Sequence, residues 1–302
     1  MALKAKAVAA LVSLLRTLLI IGLCYVILFP LFSKVSPAVM ERRDLFDQTV
    51  RWIPRHPTLE NFRVAFVNMS YGRAFLGSFV LSSSVSLLQL LVCTAVGYGF
   101  ARFRFPGSGV LFWIAITTLV VPPQMMMLPL YLNFRYFNPL GLLPEPGINL
   151  MNTYWPFILL SLTGNGLRNG LFIFIMRQFF RGMPRELEDA AYVDGAGALK
   201  TFSAVMLPGA IPALVIVFLF SFVWQWNDYF YSGMLMSNSK ILPVMLDKLA
   251  MATVGTDVEA HMHYVSLINN AGSLLFMAPL LVLYVFMQRY FVESIERTGL
   301  VG

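Results

Sequence analysis

The sequence predicts an all-α fold, a polytopic transmembrane helical bundle of about six spans, and three observations lead there. Hydrophobic residues make up 58% of the 302-residue chain and charged residues 12%, about half the charged share of an average soluble domain. Several apolar runs reach the ~20 residues that an α-helix needs to cross a bilayer core. Turn residues and most of the charge are concentrated between those runs, where connections belong.

Span one runs from Leu11 to Ser33. Lys4 and Lys6 ahead of it give the charge order of a signal peptide, but the run is long and Pro30-Leu31-Phe32-Ser33-Lys34 offers no small-x-small cleavage site, so an uncleaved span is expected. The polar stretch Lys34–Arg73 contains a helix start signal, Thr58-Leu59-Glu60-Asn61. Residues 1–74 are therefore expected to form the first span and an extracytoplasmic segment. Span two is Phe75–Phe100, closed by the turn Arg102–Gly107. Span three, Val110–Phe134, is interrupted by Pro122-Pro123, and Met125–Met127 pack the kink. Span four, Tyr154–Met176, has its apolar pattern broken by Gly164-Asn165-Gly166 and Arg168-Asn169-Gly170. Span five is Gly209–Tyr231, a polar loop covers Ser237–His263, and span six is Val265–Phe291.

An even number of spans puts both termini on one side. The basic residues near the N-terminus, Arg102, Arg104, Arg177, Arg181, Arg185, Lys200, Arg289 and Arg297 share that side, which the positive-inside rule makes cytoplasmic. The Lys34–Arg73 stretch, with six arginines of its own, runs against the rule. The net charge of +7 is placed for anionic lipid rather than nucleic acid. Cys24 and Cys93 both lie in apolar runs, so no structural disulfide is expected. His261-Met262-His263 lacks the spacing of a helical metal pair and is expected in a solvated loop; no metal site is predicted.

The loop Arg177–Pro212 carries the most information. Pro184 suits a first helical turn, and Glu186, Glu188 and Asp189 favour the positive end of the helix dipole. Leu187, Ala190, Ala191 and Asp194 share one face at helical spacing. Gly195 and Gly197 supply a stop, and a second helix, Ala198–Met206, is expected to end at Pro208. Periodicity leaves two readings open: a loop packed beneath its own bundle, or a docking element whose small residues admit another backbone.

Glu188-Asp189-Ala190-Ala191-Tyr192-Val193-Asp194-Gly195-Ala196, followed by Phe202, Leu207-Pro208 and Pro212, resembles the EAA loop of ABC importer permeases. In that family the loop is a coupling helix seated in a cleft of the ATP-binding subunit. Asp189 stands where the family usually has glutamate, keeping the acid but shortening it by one methylene. Thr58–Phe62, Gly97–Gly107, Met176–Phe180 and Gln288–Val292 resemble the carbohydrate-uptake branch, specifically its maltose/glycerol-3-phosphate-type second permease. The tail Glu293–Gly302 departs from that branch, with two glutamates and no lysine. The resemblance covers nearly the whole chain.

It implies the type I ABC importer permease fold, with residues 75–302 as core permease domain and 177–212 as its cytoplasmic coupling loop. The chain would form half of the translocation path for a sugar or sugar-like solute. Its partners would be a second permease subunit, two ATP-binding subunits and an extracytoplasmic solute-binding protein. The coupling residues would be Glu186, Glu188, Asp189, Ala190, Ala191, Asp194, Gly195, Ala196, Phe202 and Pro208. No G-x-x-x-x-G-K-[ST] loop exists in the sequence, so ATP chemistry is expected on a separate polypeptide. No cofactor and no catalytic residue are expected in this chain.

For the solute path, Arg168 and Asn169 lie inside span four, where ionisable residues mark function; a helix break satisfying its own backbone is the alternative. Trp224, Gln225, Trp226, Asn227, Asp228 and Tyr229 could stack on and hydrogen-bond a sugar, or form an interfacial aromatic belt. The rival function is an ion- or proton-coupled secondary transporter, which should show internal repeats and intramembrane carboxylates. No repeat is visible, and Asp228 is the one acidic residue placed to lie within a span.

Overall fold

Every long apolar run of the sequence is helical in a computed structural model of the chain, which describes residues 2–47, 49–50, 52–253 and 258–299. Helices are what a bilayer demands, since no water is there to satisfy backbone N–H and C=O groups. Among the described residues no strand forms, only isolated bridges at Met40–Pro57 and Phe137–Ile148.

In chain order, α1 (Ala2–Ala38) is followed by α2 (Glu60–Asn68), whose first N–H is accepted by Thr58 Oγ1 at 3.1 Å. Next comes α3 (Tyr71–Arg102), 32 residues without a break. The run expected as span three divides into α4 (Ser108–Thr117) and α5 (Pro123–Arg135), because Pro122 and Pro123 bring no N–H to the ladder. The run expected as span four divides into α6 (Trp155–Leu162) and α7 (Asn169–Gly182). Between them Gly164 and Arg168 take φ of +73° and +60°, a left-handed geometry foreign to a helix interior.

The loop beyond α7 forms α8 (Glu186–Val193), α9 (Ala198–Thr201), a π-helical turn Phe202–Met206 and α10 (Leu207–Gly209). Pro208 does not end the second helix as expected. The wide π turn skips a carbonyl just ahead of a residue with no N–H to offer, and the chain continues to Gly209. It then bends by 77° into α11 (Ile211–Asn227). Short α12 (Phe230–Leu235), α13 (Leu242–Thr253) and α14 (Val258–Gly299) complete the chain.

Continuous stretches long and apolar enough to cross a membrane lie in α1, α3 and α14, and α9–α10 with α11 pass the same test as a bent pair. The remaining two apolar runs are the broken pairs α4/α5 and α6/α7. Ser237–His263, expected as a loop, instead holds α13 and the start of α14. Leu242, Met245, Leu246 and Leu249 recur at helical spacing there, a signal that the flanking polar residues masked. The side chains of His261 and His263 lie outside the described residues.

The chain forms two compact units, Met1–Tyr71 with Leu246–Ala278, and Gly72–Met245 with Pro279–Gly302. In the first, buried Asn61 donates its amide to the carbonyls of Ala38 at 3.1 Å and Met40 at 2.7 Å. Gly272 sits where a Cβ would come within 2.5 Å of Leu249 Cδ2. In the second, Cys93, Phe172, Met176, Phe180, Met206 and Val217 form a buried core. Gly97 lets α3 and α7 approach so closely that a Cβ would lie 2.6 Å from that of Met176, the small-residue contact favoured between membrane helices.

Candidate coupling surface and solute path

The loop after α7 is built outward from the buried end of the bundle. Phe180 is fully buried, Arg177 lays its guanidinium 3.9 Å from the Phe112 ring centroid, and Arg102 Nη2 donates to the Met183 carbonyl at 2.8 Å. From there α8 starts with three acids in its first turn, Glu186, Glu188 and Asp189. Its end is a complete glycine cap. The N–H of Ala196 bonds the carbonyl of Ala191 at 2.9 Å, and that of Gly195 bonds Tyr192 at 3.0 Å, with Gly195 at φ +79°. This is the Schellman arrangement, which a residue carrying Cβ adopts only under strain.

The face α8 turns inward is not the apolar one that spacing suggests. Glu188 and Ala191 are buried, whereas Leu187, Ala190 and Asp194 are exposed. Glu186 and Asp189 are exposed as well, and nothing lies within 4 Å of the position a Gly195 Cβ would take. Ala196 is half-buried and Pro208 exposed. Phe202 turns inward, with its ring centroid 4.7 Å from that of Tyr98 and 6.3 Å from that of Phe180. Glu188 accepts a hydrogen bond from Tyr98 Oη at 2.7 Å and lies 3.3 Å from Arg102 Nε. Tyr98 and Arg102 escape sequence reading because their partner Glu188 lies 90 residues from Tyr98; an aromatic and a base one turn apart at a span's end were the visible signal.

A second feature lies deeper. The α6/α7 break and α11 enclose a cavity of about 150 Å³ whose lining includes Gly164, Asn165, Arg168, Gln225 and Tyr231. That is about ten times what a single water requires. Gln225 is 2% exposed and neither amide atom of its side chain has a hydrogen-bond partner; Asn169, also 2% exposed, is in the same condition. Buried amides without partners are uncommon enough to call for an explanation. Gln89 is satisfied by contrast, donating to the Leu167 carbonyl at 3.0 Å and accepting from Ser221 Oγ. Arg168 rests its guanidinium 5.5 Å from the Trp224 ring centroid.

Trp226, Asn227, Asp228 and Tyr229 are not among the cavity's lining residues. Trp226 is buried against Phe222 and Phe75, and Asn227 bonds the Val223 carbonyl at 2.8 Å. Asp228 caps α12, accepting from the N–H groups of Tyr231 and Ser232 and from Ser232 Oγ at 2.8–3.1 Å. Tyr229 is half exposed, with its ring against Gly233. Of the Trp224–Tyr229 cluster expected on the path, Gln225 alone lines the cavity, and nothing in the sequence sets it apart from its neighbours.

Residues 93–297 match the family model described as binding-protein-dependent transport system inner membrane component. The chain belongs to this family. As such an inner membrane component it is a membrane transport subunit, and relatives align over nearly its full length. It is 26% identical to the sn-glycerol-3-phosphate transport system permease protein UgpE of Salmonella typhi, covering 93% of this chain and 94% of that protein. It is 27% identical to the arabinooligosaccharides transport system permease protein AraQ of Halalkalibacterium halodurans, covering 96% and 98%. In fold it is similar to a chain of a bacterial ABC transporter involved in the import of the acidic polysaccharide alginate. That match has a TM-score of 0.71 at 21% identity, covering 92% of this inner membrane component and 96% of its counterpart.

Proposed function

We propose that this chain is one of a pair of permease subunits in an ATP-driven importer of a sugar or sugar-like solute, coupled to its ATPase through α8 and the Gly195 turn. The exposed face of that element carries the proposal. Leu187, Tyr192, Val193 and Leu199 are 42%, 45%, 87% and 79% exposed beside Ala190 and Gly195. A cluster of exposed apolar side chains on a polar loop marks a partner site, and the small residues allow another backbone to come close. Glu186, Asp189 and Asp194 ring the patch and suit a basic cleft.

ATP hydrolysis resides on the separate ATP-binding subunits, two per assembly, and an extracytoplasmic binding protein delivers the solute. Both termini face the cytoplasm with the coupling loop. Closure of the ATPases moves α8 and α9, and the continuous chain from α9 through α10 into α11 carries that movement to the bundle, as in rigid-body switching between two packed states. The unpartnered amide of Gln225 and the Arg168 turn supply donors and acceptors for solute hydroxyls; Asn169, though also unpartnered, does not line the cavity. The solutes named for the two relatives, sn-glycerol-3-phosphate and arabinooligosaccharides, both carry hydroxyl groups.

The test is uptake of labelled sugars by cells expressing the chain with its ATP-binding subunit. Gly195→Asp is expected to abolish uptake while the chain remains in the membrane. Normal uptake in cells lacking the ATP-binding subunit would overturn the reading.

A further inference from the structure

The three acids at the start of α8 look equivalent in sequence but have separate fates. Glu186 and Asp189 are exposed, while Glu188 is 8% exposed and points into the bundle. Its Oε1 accepts from Tyr98 Oη at 2.7 Å, and its Oε2 faces Arg102 Nε at 3.3 Å. Both partners stand one turn apart at the end of α3. Arg102 also holds the α7–α8 junction through its bond to the Met183 carbonyl, and the Tyr98 ring is packed by Phe103, Phe180 and Phe202.

We infer that Tyr98, Arg102 and Glu188 form a clamp that makes α8 move as one body with the end of α3, so that motion of the docked loop reaches this helix directly. On this view Glu188 is a positioning residue that faces its own chain and not the ATPase. The covalent path from the loop leads back to α7 through residues 183–185 and forward to α11 by way of α10 and a 77° bend. An attachment at α3, made by side chains alone, lets one docked element drive a third helix. Charge-assisted hydrogen bonds such as Tyr98 to Glu188 are short, directional and strong, which suits a rigid joint better than the surrounding ring contacts. The inference rests on the importer reading above.

The experiment uses the complete importer, purified with its ATP-binding subunits and reconstituted in liposomes, measuring ATP hydrolysis and solute uptake in the same vesicles. Tyr98→Phe removes one hydroxyl and keeps the ring packing. Expected is an assembled complex that still hydrolyses ATP, with solute moved per ATP reduced about fivefold or more, the lower edge of a typical coupling free energy. Glu188→Gln is expected to do the same, and Glu188→Asp to restore part of the ratio. An unchanged ratio in Tyr98→Phe would overturn the clamp, as would loss of ATPase from the complex in Glu188→Gln with Tyr98→Phe normal. Failure of the importer reading is distinguishable, since the unmodified chain would then retain no ATPase.

Discussion

Ser221 of α11 donates its hydroxyl to the side-chain oxygen of Gln89 in α3, a buried polar pair across two helices. The other end of the Gln89 amide donates to the Leu167 carbonyl at 3.0 Å, within the α6/α7 break. One side chain therefore ties a long span to another and satisfies backbone that the break leaves loose.

Gln89→Leu is expected to destabilise the chain by about 1–3 kcal/mol, because the Leu167 carbonyl loses its donor in a partly buried setting and the buried Ser221 hydroxyl loses its acceptor. Ser221→Ala should cost less, and the double variant should cost less than the sum, as contacting residues do. Thermal unfolding in detergent checks both statements. Strict additivity would show that the two side chains do not interact.

Gln225 should behave in the opposite way. Its buried amide has no partner, so Gln225→Leu removes an unsatisfied polar group and should leave the unfolding temperature unchanged or raised. Uptake should nonetheless fall about tenfold, the equivalent of one lost hydrogen bond to solute at about 1.4 kcal/mol. Paired unfolding and transport measurements separate the two effects, and normal transport would remove Gln225 from the path.

The Gly195 turn sets a backbone prediction. At φ +79°, Gly195→Val should cost about 1–2 kcal/mol of loop stability, while Gly195→Asn is tolerated far better. Hydrogen exchange at the Ala196 amide, bonded to Ala191, reports the cap. Equal exchange in the two variants would mean that the turn does not need a left-handed residue.

The segment between α1 and α2 has its own pH limit. Asp44 is buried, a change that raises a carboxyl. The hydrogen bonds from the His56 backbone at 2.9 Å and ring at 2.7 Å, with the attraction of that ring, outweigh it and hold Asp44 below the usual value of 3.8. A depressed carboxyl contributes stability above its unfolded pKa and loses it as pH falls through the folded one. Protease protection of this segment should therefore be flat from neutral pH down to about 4 and decline below it. Asp44→Asn should give the reduced protection at every pH.

How far the sequence could be read follows from which signals are local. The α8 boundaries, the Gly195 stop and the break around Gly164–Arg168 were legible because proline, glycine and charge placement act within a turn or two. The inward face of α8 was not, since the pull of Tyr98 and Arg102 on Glu188 overrides the apolar spacing of Leu187 and Ala190. Asp228 read as an intramembrane acid, and its carboxylate caps α12, a local bond that becomes visible once the helix end is known. α13 was hidden because its apolar stripe lies within a stretch that is polar at both ends.

The central claim is that the outward face of α8 is an ATPase docking surface, and site-specific cross-linking tests it most directly. With Cys24 and Cys93 replaced, Ala190→Cys on the exposed face and Ala191→Cys on the buried face would each be treated with a short bifunctional reagent in membranes containing the ATP-binding subunit. A covalent link to that subunit from position 190 and none from position 191 is the predicted result. No link from position 190, or equal links from both, would contradict the account.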